Sequence, residues 1–417
     1  MRILLLTHRL PYPPNKGDKI RTFNVLEYLA KRHEVFLACP VDDPADLAYV
    51  PEMERRCARV FTARIDGRSK ALSGLGALLT GASITVRHFH SADLQRRIDE
   101  FLDTHDIDAI FCFSSATAEY FFRSRHRTGK LARARRLMDL IDVDSYKWRQ
   151  YVERTSAPKS WVYSYEAARL ADYERRIAGA FDHLFLVSAQ EREYMPAGAR
   201  LDHLQALSNG VDLEYFSPHG APRALERGGA PTLVFTGVMD YWPNVQGVQW
   251  FADEVLPLIR AKLPEVRFII VGSKPTEAVL KLRARPGIEV TGFVDDVRVY
   301  VSAAALCVVP LKIARGLQNK VLEAMAMGKT VVCTSQSLEG IRARDGVEVV
   351  VAEEAPEFAA QVVSLLGQPE RAGEIGRQAR RCMERGYSWE ANLRQLDVLL
   401  GPEPGAAMSA AHSGANS

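Results

Sequence analysis

The chain has 417 residues, of which 47% are hydrophobic and 25% are charged, and its formal net charge is only +3. This length predicts two or three globular domains. No apolar run approaches the roughly 20 residues of a membrane-spanning helix, and Ile3–Leu6 is too short for a secretory signal, so we expect a cytoplasmic protein.

Short apolar runs alternate with helical patterns through the first half. The predicted helices include 20–32, 93–104 and 163–180. Between them lie the predicted strands, which are Ile3–Thr7, Glu34–Cys39, Val60–Ala63, Ala109–Ser114, Arg136–Ile141 and His183–Ser188. This alternation predicts a parallel, doubly wound sheet.

The pattern pauses at the Asn209-Gly210 turn signal, and the following residues 218–231 are rich in Gly, Pro and Ala. A second alternation begins afterwards, with helical patterns over 245–262 and 357–366. Its predicted strands are Thr232–Thr236, Arg267–Val271, Ile288–Thr291, Leu306–Pro310, Thr330–Cys333 and Glu348–Val351. We therefore predict domains over 1–212 and 231–385, joined by a linker over 213–230, with a small, polar, disordered tail over 401–417.

The six cysteines are scattered without paired spacing, and four of them lie in strand-like runs. This distribution predicts reduced core thiols rather than a disulfide or zinc framework. No helical pair of histidines, nucleophile elbow, Walker loop or G-x-G-x-x-G motif occurs. These absences argue against an NTPase and a dinucleotide-dependent enzyme.

Candidate site residues follow several predicted strands, where open α/β sheets bind ligands. After the first strand, Asn15, Lys16, Gly17 and Arg21 are expected to line the mouth of a helix that Asp18 caps. The three carboxylates Asp139, Asp142 and Asp144 end the fifth strand, and Asp142 or Asp144 could orient or deprotonate an acceptor hydroxyl. The alternatives are solvated loop residues and, less favoured without a matching His set, a metal site.

In the second half, glycines and polar residues follow neighbouring strands. Gly237 leads to Asn244, Gly272 precedes Ser273 and Lys274, and Gly292 precedes Val294. If the two sheets face each other, these residues line an interdomain cleft. After Ser188, Glu191 fits a capping box, which favours a structural role there.

The most informative stretch is Arg315–Val332. Gly316 allows a tight turn, 318–327 has helical composition, and Gly328 lies where a left-handed C-cap is expected. The loop would deliver the positive end of a helix to the sheet edge. Lys320 and Glu323 lie one turn apart on one face, which suits the phosphate and hydroxyls of a sugar nucleotide, although a surface ion pair has the same spacing.

Two segments are strongly basic. Residues 123–136 hold seven Lys or Arg and no acid, and 55–70 hold six bases and one acid. Bases beside exposed aromatic residues can attach a protein to an anionic leaflet, while nucleic acid and plain solvation are alternatives. We expect a membrane surface at 123–136 rather than nucleic acid.

These motifs resemble the retaining glycosyltransferases of the two-Rossmann-domain (GT-B) type, in the large family called GT4. The resemblance rests on G316-L-Q-N-K-V-L-E-A-M-A-M-G328, the turn N209-G-V-D212 and the strand ends at Gly237, Gly272 and Gly292. Together with P-x-P-P-N-K-G-D-K and D-x-x-D-V-D-S, it is closest to the sugar transferases of exosortase (PEP-CTERM) exopolysaccharide loci. It implies an α/β GT-B fold of two facing domains, with a helix over 386–400 crossing back to the first domain.

The resemblance also implies residue roles. Glu323 would bind the nucleotide ribose, Lys320 the donor diphosphate, and Val294 would lie near the base. The full set of implied or expected donor-binding residues is Lys16, Gly17, Gly237, Asn244, Ser273, Lys274, Val294, Arg315, Gly316, Leu317, Asn319, Lys320 and Glu323. Arg315 replaces a glutamate that the family often has, and Arg315 or Lys274 would supply a phosphate-binding charge that is missing after Gly237.

The implied reaction transfers a sugar from a nucleotide-diphosphate donor to a hydroxyl of a lipid-linked or polysaccharide acceptor, with retention of configuration. It needs no cofactor, divalent cation or protein nucleophile. Lys320 and Glu323, with Asp142 or Asp144, are the expected catalytic residues. The alternatives are a nucleotide-sugar epimerase of the same fold and a non-catalytic polymer- or membrane-binding protein.

Overall fold

A computed structural model describes residues 1–65, 80–153, 155–219, 229–314 and 316–401. The chain divides into two compact units, one of Met1–Leu207 with Leu393–Ser417 and the other of Ser208–Asn392. The predicted tail over 402–417, Arg315, and parts of the predicted linker and of the 55–70 basic segment lie outside the described residues.

The first unit contains a parallel sheet of seven strands in the order β3-β2-β1-β4-β5-β6-β7. The strands are β1 (Arg2–Thr7), β2 (Glu34–Val41), β3 (Arg59–Arg64), β4 (Ala109–Phe113), β5 (Arg135–Ile141), β6 (His183–Leu186) and β7 (Leu204–Ala206). The helices of this unit are α1 (Gly17–Ala30), α2 (Val50–Glu54), α3 (Ile84–Phe89), α4 (Ala92–Thr104), α5 (Ala118–Arg123), α6 (Lys130–Arg133), α7 (Asp144–Glu153) and α8 (Lys159–Ala180).

The second unit contains a parallel sheet of six strands in the order β10-β9-β8-β11-β12-β13. The strands are β8 (Thr232–Thr236), β9 (Arg267–Val271), β10 (Ile288–Gly292), β11 (Leu306–Val309), β12 (Val331–Cys333) and β13 (Val350–Val351). Its helices are α9 (Trp242–Trp250), α10 (Leu256–Arg260), α11 (Glu277–Lys281), α12 (Arg298–Ala303), α13 (Asn319–Ala326), α14 (Ala355–Leu366), α15 (Pro369–Gly386) and α16 (Trp389–Leu393).

Each sheet reverses its strand order once, between β1 and β4 in the first unit and between β8 and β11 in the second. This is the doubly wound Rossmann arrangement, in which ligands bind beyond the carboxyl ends of the strands at the reversal. The fully buried strands explain why the apolar runs in the sequence are nearly continuous.

The last helix, α17 (Gln395–Leu400), belongs to the first unit. Asp397 in this helix accepts a hydrogen bond of 2.6 Å from the hydroxyl of Tyr28, and the carbonyl of Leu399 accepts one from Arg135. The chain thus leaves the second unit and rejoins the first at its end.

The predicted helix over 245–262 is interrupted. A π-helical turn, Phe251–Val255, separates α9 from α10. Pro257 lies at the start of α10, where it has no amide hydrogen to continue the ladder of the preceding helix. The sequence prediction also missed β7, because only Leu204 of its three residues is buried.

All six cysteines are buried and free, which confirms the prediction of core thiols. None of the helices in the described ranges combines the length and apolar composition needed to cross a bilayer.

Candidate functional site

The strand ends of the second unit meet around Gly237, directly after β8. A Cβ atom on Gly237 would lie 2.7 Å from Asn244 Nδ2 and 3.3 Å from Lys320 Cε, so these three residues are immediate neighbours. Asn244 is buried, and its Nδ2 donates to the carbonyl of Val238 at 2.9 Å. Its Oδ1 has no partner within the described ranges, which leaves one acceptor for a ligand.

Gly272 directly follows β9 and lies against Gly237. Gly272 has a φ of 152°, and a Cβ atom at this position would lie only 1.7 Å from the carbonyl oxygen of Gly237. Only glycine therefore fits here. The Gly237 amide donates to the carbonyl of Val271 at 2.9 Å. Two strand ends are thus held in direct backbone contact beside Lys320.

We expect Gly272→Ala to lower the free energy of unfolding by about 3–5 kcal/mol, because the new methyl group would displace the Gly237 backbone. Gly346→Ala is the matched control, since Gly346 has a φ of 70° but open space around its Cβ position. The control should cost about 1–2 kcal/mol from backbone strain alone. Urea unfolding of both variants measures the difference, and equal losses would contradict the proposed close contact.

Lys320 lies in the first turn of α13 and is half-buried. Its Nζ donates to Gln318 Oε1 at 3.2 Å and lies 5.6 Å from the centre of the Phe235 ring. Glu323 is also half-buried, and its carboxylate accepts no hydrogen bond and forms no ion pair within the part of the chain that is described. The alternative of a surface ion pair between these two residues is therefore wrong.

Burial perturbs both charges. It lowers the pKa of Lys320 to about 8, against the opposing attraction of Glu323. It raises the pKa of Glu323 to about 7, against the opposing attraction of Lys320. Two partly desolvated charges one turn apart on a helix, which form no ion pair with each other in the described ranges, are typical of a ligand site.

The N-terminus of α13 is open toward this position. Gly316 has a φ of 60°, and its carbonyl accepts a hydrogen bond from Gln318 Nε2 at 3.1 Å. Gln318 is the N-cap residue, and its side chain does not cap a backbone amide of the helix. Leu317 is buried beside it, and Asn319 Oδ1 accepts a hydrogen bond of 3.3 Å from Asn209 Nδ2. The helix therefore offers its positive end to an anion.

The other predicted donor-site residues occupy the neighbouring strand ends. Lys274 has a φ of 55°, a strained conformation for a residue with a side chain, and its Nζ lies 3.9 Å from Asp240 Oδ2. The Ser273 carbonyl accepts a hydrogen bond of 2.8 Å from the Met239 amide, which ties the loops after β8 and β9 together. Val294 follows β10, two strands away from β8 in the sheet.

In the first unit, Lys16 and Gly17 are exposed at the start of α1. Asp18 is not the N-cap residue of this helix, which is Lys16, although Asp18 Oδ1 accepts a hydrogen bond of 3.0 Å from the first-turn amide of Lys19. Its other oxygen, Oδ2, lies 3.1 Å from His8 Nε2 and 2.7 Å from Arg9 Nη1. Although burial opposes the effect, His8 and Arg9 hold the pKa of Asp18 well below its usual range.

Arg21 does not line the mouth of α1, as the sequence suggested. Its side chain is fully buried and makes two hydrogen bonds, of 2.7 and 3.0 Å, to the equally buried carboxylate of Asp139. Asp139 Oδ1 also accepts from the Ile141 amide at 3.1 Å. This pair anchors α1 to the end of β5, so Asp139 has a structural role.

Asp142 and Asp144 follow β5. Asp144 begins α7, and its Oδ2 accepts a 2.7 Å hydrogen bond from Ser115 Oγ. The Asp142 carboxylate has no hydrogen-bond donor within the described ranges, and burial raises its pKa. Ile141 has a left-handed φ of 68°, and so has Ser114 after β4, with 67°. Such strain is concentrated at functional sites, so Asp142 is the stronger candidate of the two.

Sequence reasoning missed His8, Ser114 and Ser115. His8 packs between the rings of Phe89 and Phe113, with ring centres 5.4 and 5.9 Å away. These residues directly follow β1 and β4, the two strands at which the strand order reverses. That position in the sequence could have marked them as candidates for the site. The predicted capping box at Ser188 is also wrong, because Glu191 Oε2 accepts from the Val143 amide at 3.3 Å and the turn begins at Gln190.

The basic segment 123–136 lacks the exposed aromatic residues on which its membrane assignment rested. Phe121 and Phe122 are buried beside it. Four of its bases face carboxylates, in the pairs Arg123–Glu119, Arg125–Asp103, Lys130–Asp106 and Arg136–Asp182. Its charge is therefore largely compensated within the protein.

No group of three His, Cys, Asp or Glu side chains in the described ranges is arranged to hold a metal ion.

Residues 230–368, which contain β8 to β13, match the family model described as Glycosyl transferases group 1. A Klebsiella pneumoniae protein named "Uncharacterized 44.6 kDa protein in cps region" is 21% identical over 372 residues, covering 87% of this chain and 90% of that protein. Sucrose-phosphate synthase from Thermosynechococcus elongatus is a structural neighbour, with a TM-score of 0.67, 17% identity and coverage of 96% of this chain and 98% of that one.

A second structural neighbour is Anabaena HepE in complex with UDP and glucose, with a TM-score of 0.65 and 15% identity over 96% of this chain and 99% of that one. These likenesses confirm the predicted fold class, two doubly wound α/β domains of the GT-B type. The family match supports a glycosyl transfer function.

Proposed function

We propose that this protein is a retaining glycosyltransferase that moves a sugar from a nucleotide-diphosphate donor to a hydroxyl acceptor. The observation that carries the proposal is that Lys320, in the first turn of α13, packs beside Gly237, while the Glu323 carboxylate, one turn on, accepts no hydrogen bond within the described residues. The neighbouring HepE structure contains UDP and glucose, which supports a nucleotide-sugar donor.

The roles follow from the chemistry of the side chains. Lys320 and the first amides of α13 stabilise the negative charge that grows on the leaving diphosphate. Glu323 accepts hydrogen bonds from ribose hydroxyls, and Gly237 and Gly316 let the backbone approach the ligand. These positive groups take the place of a divalent cation, so we expect transfer to persist in a chelator.

The acceptor hydroxyl attacks the anomeric carbon from the face on which the diphosphate leaves, so the configuration is retained without a protein nucleophile. The anomeric carbon–oxygen bond to the diphosphate breaks as the bond to the acceptor oxygen forms, and the proton of the acceptor hydroxyl passes to the leaving diphosphate oxygen on the same face. In the first unit, Asp142 is the proposed residue for orienting the acceptor hydroxyl, and Lys16 and Gly17 are proposed donor contacts.

We propose a lipid-linked saccharide or exopolysaccharide intermediate as acceptor, in a system of the exosortase (PEP-CTERM) type. The Klebsiella pneumoniae relative, named for its place in a cps region, supports a role in polysaccharide assembly. The motifs shared with GT4 transferases support membership of that family.

The test is incubation with a panel of labelled nucleotide sugars, chosen by thermal shift, with and without a lipid-linked saccharide extract. We expect label in the extract and free nucleotide diphosphate only when both substrates are present. Conversion of the nucleotide sugar without acceptor would instead identify an epimerase, and no turnover of any donor would favour a non-catalytic binder.

Donor affinity should be highest between about pH 7 and about pH 8, the pKa values of Glu323 and Lys320. Below this range Glu323 gains a proton and loses its charge, and above it Lys320 loses its proton, so each limb should fall by up to about tenfold per pH unit. Calorimetric Kd values across this range provide the measurement. In Glu323→Gln, the fall in donor affinity at low pH should disappear and the fall at high pH should remain. A donor affinity that does not vary with pH in the unmodified protein would contradict the roles assigned to Glu323 and Lys320.

A further inference from the structure

The hairpin of α7 and α8 in the first unit presents apolar side chains to solvent. Trp161 is 72% exposed, Val162 42% and Tyr151 37%. Tyr151 lies near the end of α7, and the other two lie in the first turn of α8. We call these three residues, two of which are aromatic, the aromatic tip. A group of large exposed apolar side chains marks an interaction surface.

The aromatic tip is built on packed helices. The Trp148 ring lies 5.1 Å from that of Tyr163 and 5.8 Å from that of Tyr151, so the two helices are joined by aromatic contacts directly below the exposed side chains. The tip therefore keeps its shape without a partner, and little conformational entropy is lost when it binds.

The helices that carry the aromatic tip expose more bases than acids near it in the sequence. In the described residues of 145–164, the exposed charged side chains are Lys147, Arg149, Glu153 and Lys159. Arg149 and Lys159 form no ion pair within the described ranges, in contrast to the paired bases of 123–136. This charge is available to an external anionic partner.

We propose that the aromatic tip and its surrounding bases dock on an anionic lipid bilayer. Tryptophan and tyrosine favour the level of the lipid headgroups, where the ring is apolar and the N–H or O–H group is hydrated. Bases next to them are attracted by anionic lipid. This surface replaces the 123–136 segment as the membrane contact, and it does not require the proposed transfer activity.

The position of the aromatic tip gives such docking a consequence. Asp144 begins α7 seven residues before Tyr151, which is about 10 Å along a helix. Docking would therefore hold the carboxylates that follow β5 close to the bilayer surface. The headgroup of a lipid-linked acceptor could then reach these carboxylates.

Co-sedimentation with phosphatidylcholine vesicles, with and without about 30% phosphatidylglycerol, tests the proposal. We expect binding to the anionic vesicles only, and weaker binding as salt is added. Arg149→Gln with Lys159→Gln should lower the partition coefficient roughly 25-fold, about fivefold for each base. Trp161→Ser with Val162→Ser should reduce it at least as much.

Matched controls come from exposed residues elsewhere. Val398→Ser, at a position that is 83% exposed on α17, and Lys281→Gln, in the second unit, should bind like the unmodified protein. Anionic vesicles should also shift the tryptophan emission to shorter wavelength, and Trp161→Phe should remove most of that shift.

Three results would overturn the proposal. The first is absence of binding to anionic vesicles, and the second is unchanged binding of both the double glutamine and the double serine variant. The third is a dimer, detected by light scattering, that the double serine variant no longer forms while its vesicle binding is unchanged. None of these results bears on donor binding by α13, so the two proposals fail separately.

Discussion

Lys320→Ala is expected to lower the turnover number of sugar transfer roughly a hundred- to thousand-fold, the usual effect of removing one group that stabilises charge in a transition state. The Lys320 side chain lies directly against Gly237, with its Cε 3.3 Å from where a Cβ atom on Gly237 would be. Without it, the leaving diphosphate would lose the cation that lies in the first turn of α13. Steady-state kinetics with the donor found by thermal shift provide the measurement.

Lys281→Ala is the matched control for Lys320. Lys281 also lies in the second unit, but it is 74% exposed and pairs with Glu277 at 3.0 Å. We expect unchanged turnover in this variant. If Lys320→Ala turned over like the control, the leaving-group role of Lys320 would be wrong. A loss confined to KM would show that Lys320 binds the donor without assisting its departure.

Glu323→Ala is expected to weaken donor binding by roughly 1.5–3 kcal/mol, the usual contribution of charged hydrogen bonds. The Glu323 carboxylate accepts no hydrogen bond in the described part of the chain, so its removal leaves no protein hydrogen-bond donor unsatisfied. The loss should therefore report the ligand contact together with the attraction by which Glu323 favours the charged form of Lys320. Isothermal titration calorimetry gives the binding free energy directly.

A donor without ribose hydroxyls sharpens this test. If Glu323 binds the ribose, the unmodified protein should bind the deoxy donor as weakly as Glu323→Ala binds the natural one. Combining both changes should then cost little more than either alone. Fully additive losses would show that Glu323 acts elsewhere. Glu277→Ala, at an exposed glutamate in α11, is the control.

The sequence was sufficient for the sheets because their strands are short, buried, β-branched runs. Thr232–Thr236 and Arg267–Val271 were predicted with the bounds that the structure gives. The strand β7 was missed because two of its three residues are exposed, so it has no apolar signal. The interruption of the helix over 245–262 had a visible cause in Pro257, but a proline alone does not specify a π turn.

Contacts between distant residues could not be predicted. Helical spacing correctly placed Lys320 and Glu323 in α13. The surroundings of Lys320 include Phe235 and Gly237, which lie some eighty residues earlier in the chain. Arg21 and Asp139 are 118 residues apart in the chain, and nothing in the sequence near either residue indicates that the two pair in the interior. Aspartate is a common capping residue at the start of a helix, but the Asp18 carboxylate also binds His8 and Arg9.

The most direct test of the central claim is calorimetric titration of the nucleoside diphosphate that stabilises the protein most in a thermal-shift screen. The unmodified chain should bind one equivalent, and the double variant Lys320→Ala, Glu323→Ala should bind at least roughly a hundredfold more weakly, because it loses both charged contacts. Equal affinity in the two proteins would contradict the assignment of the α13 N-terminus as the donor site.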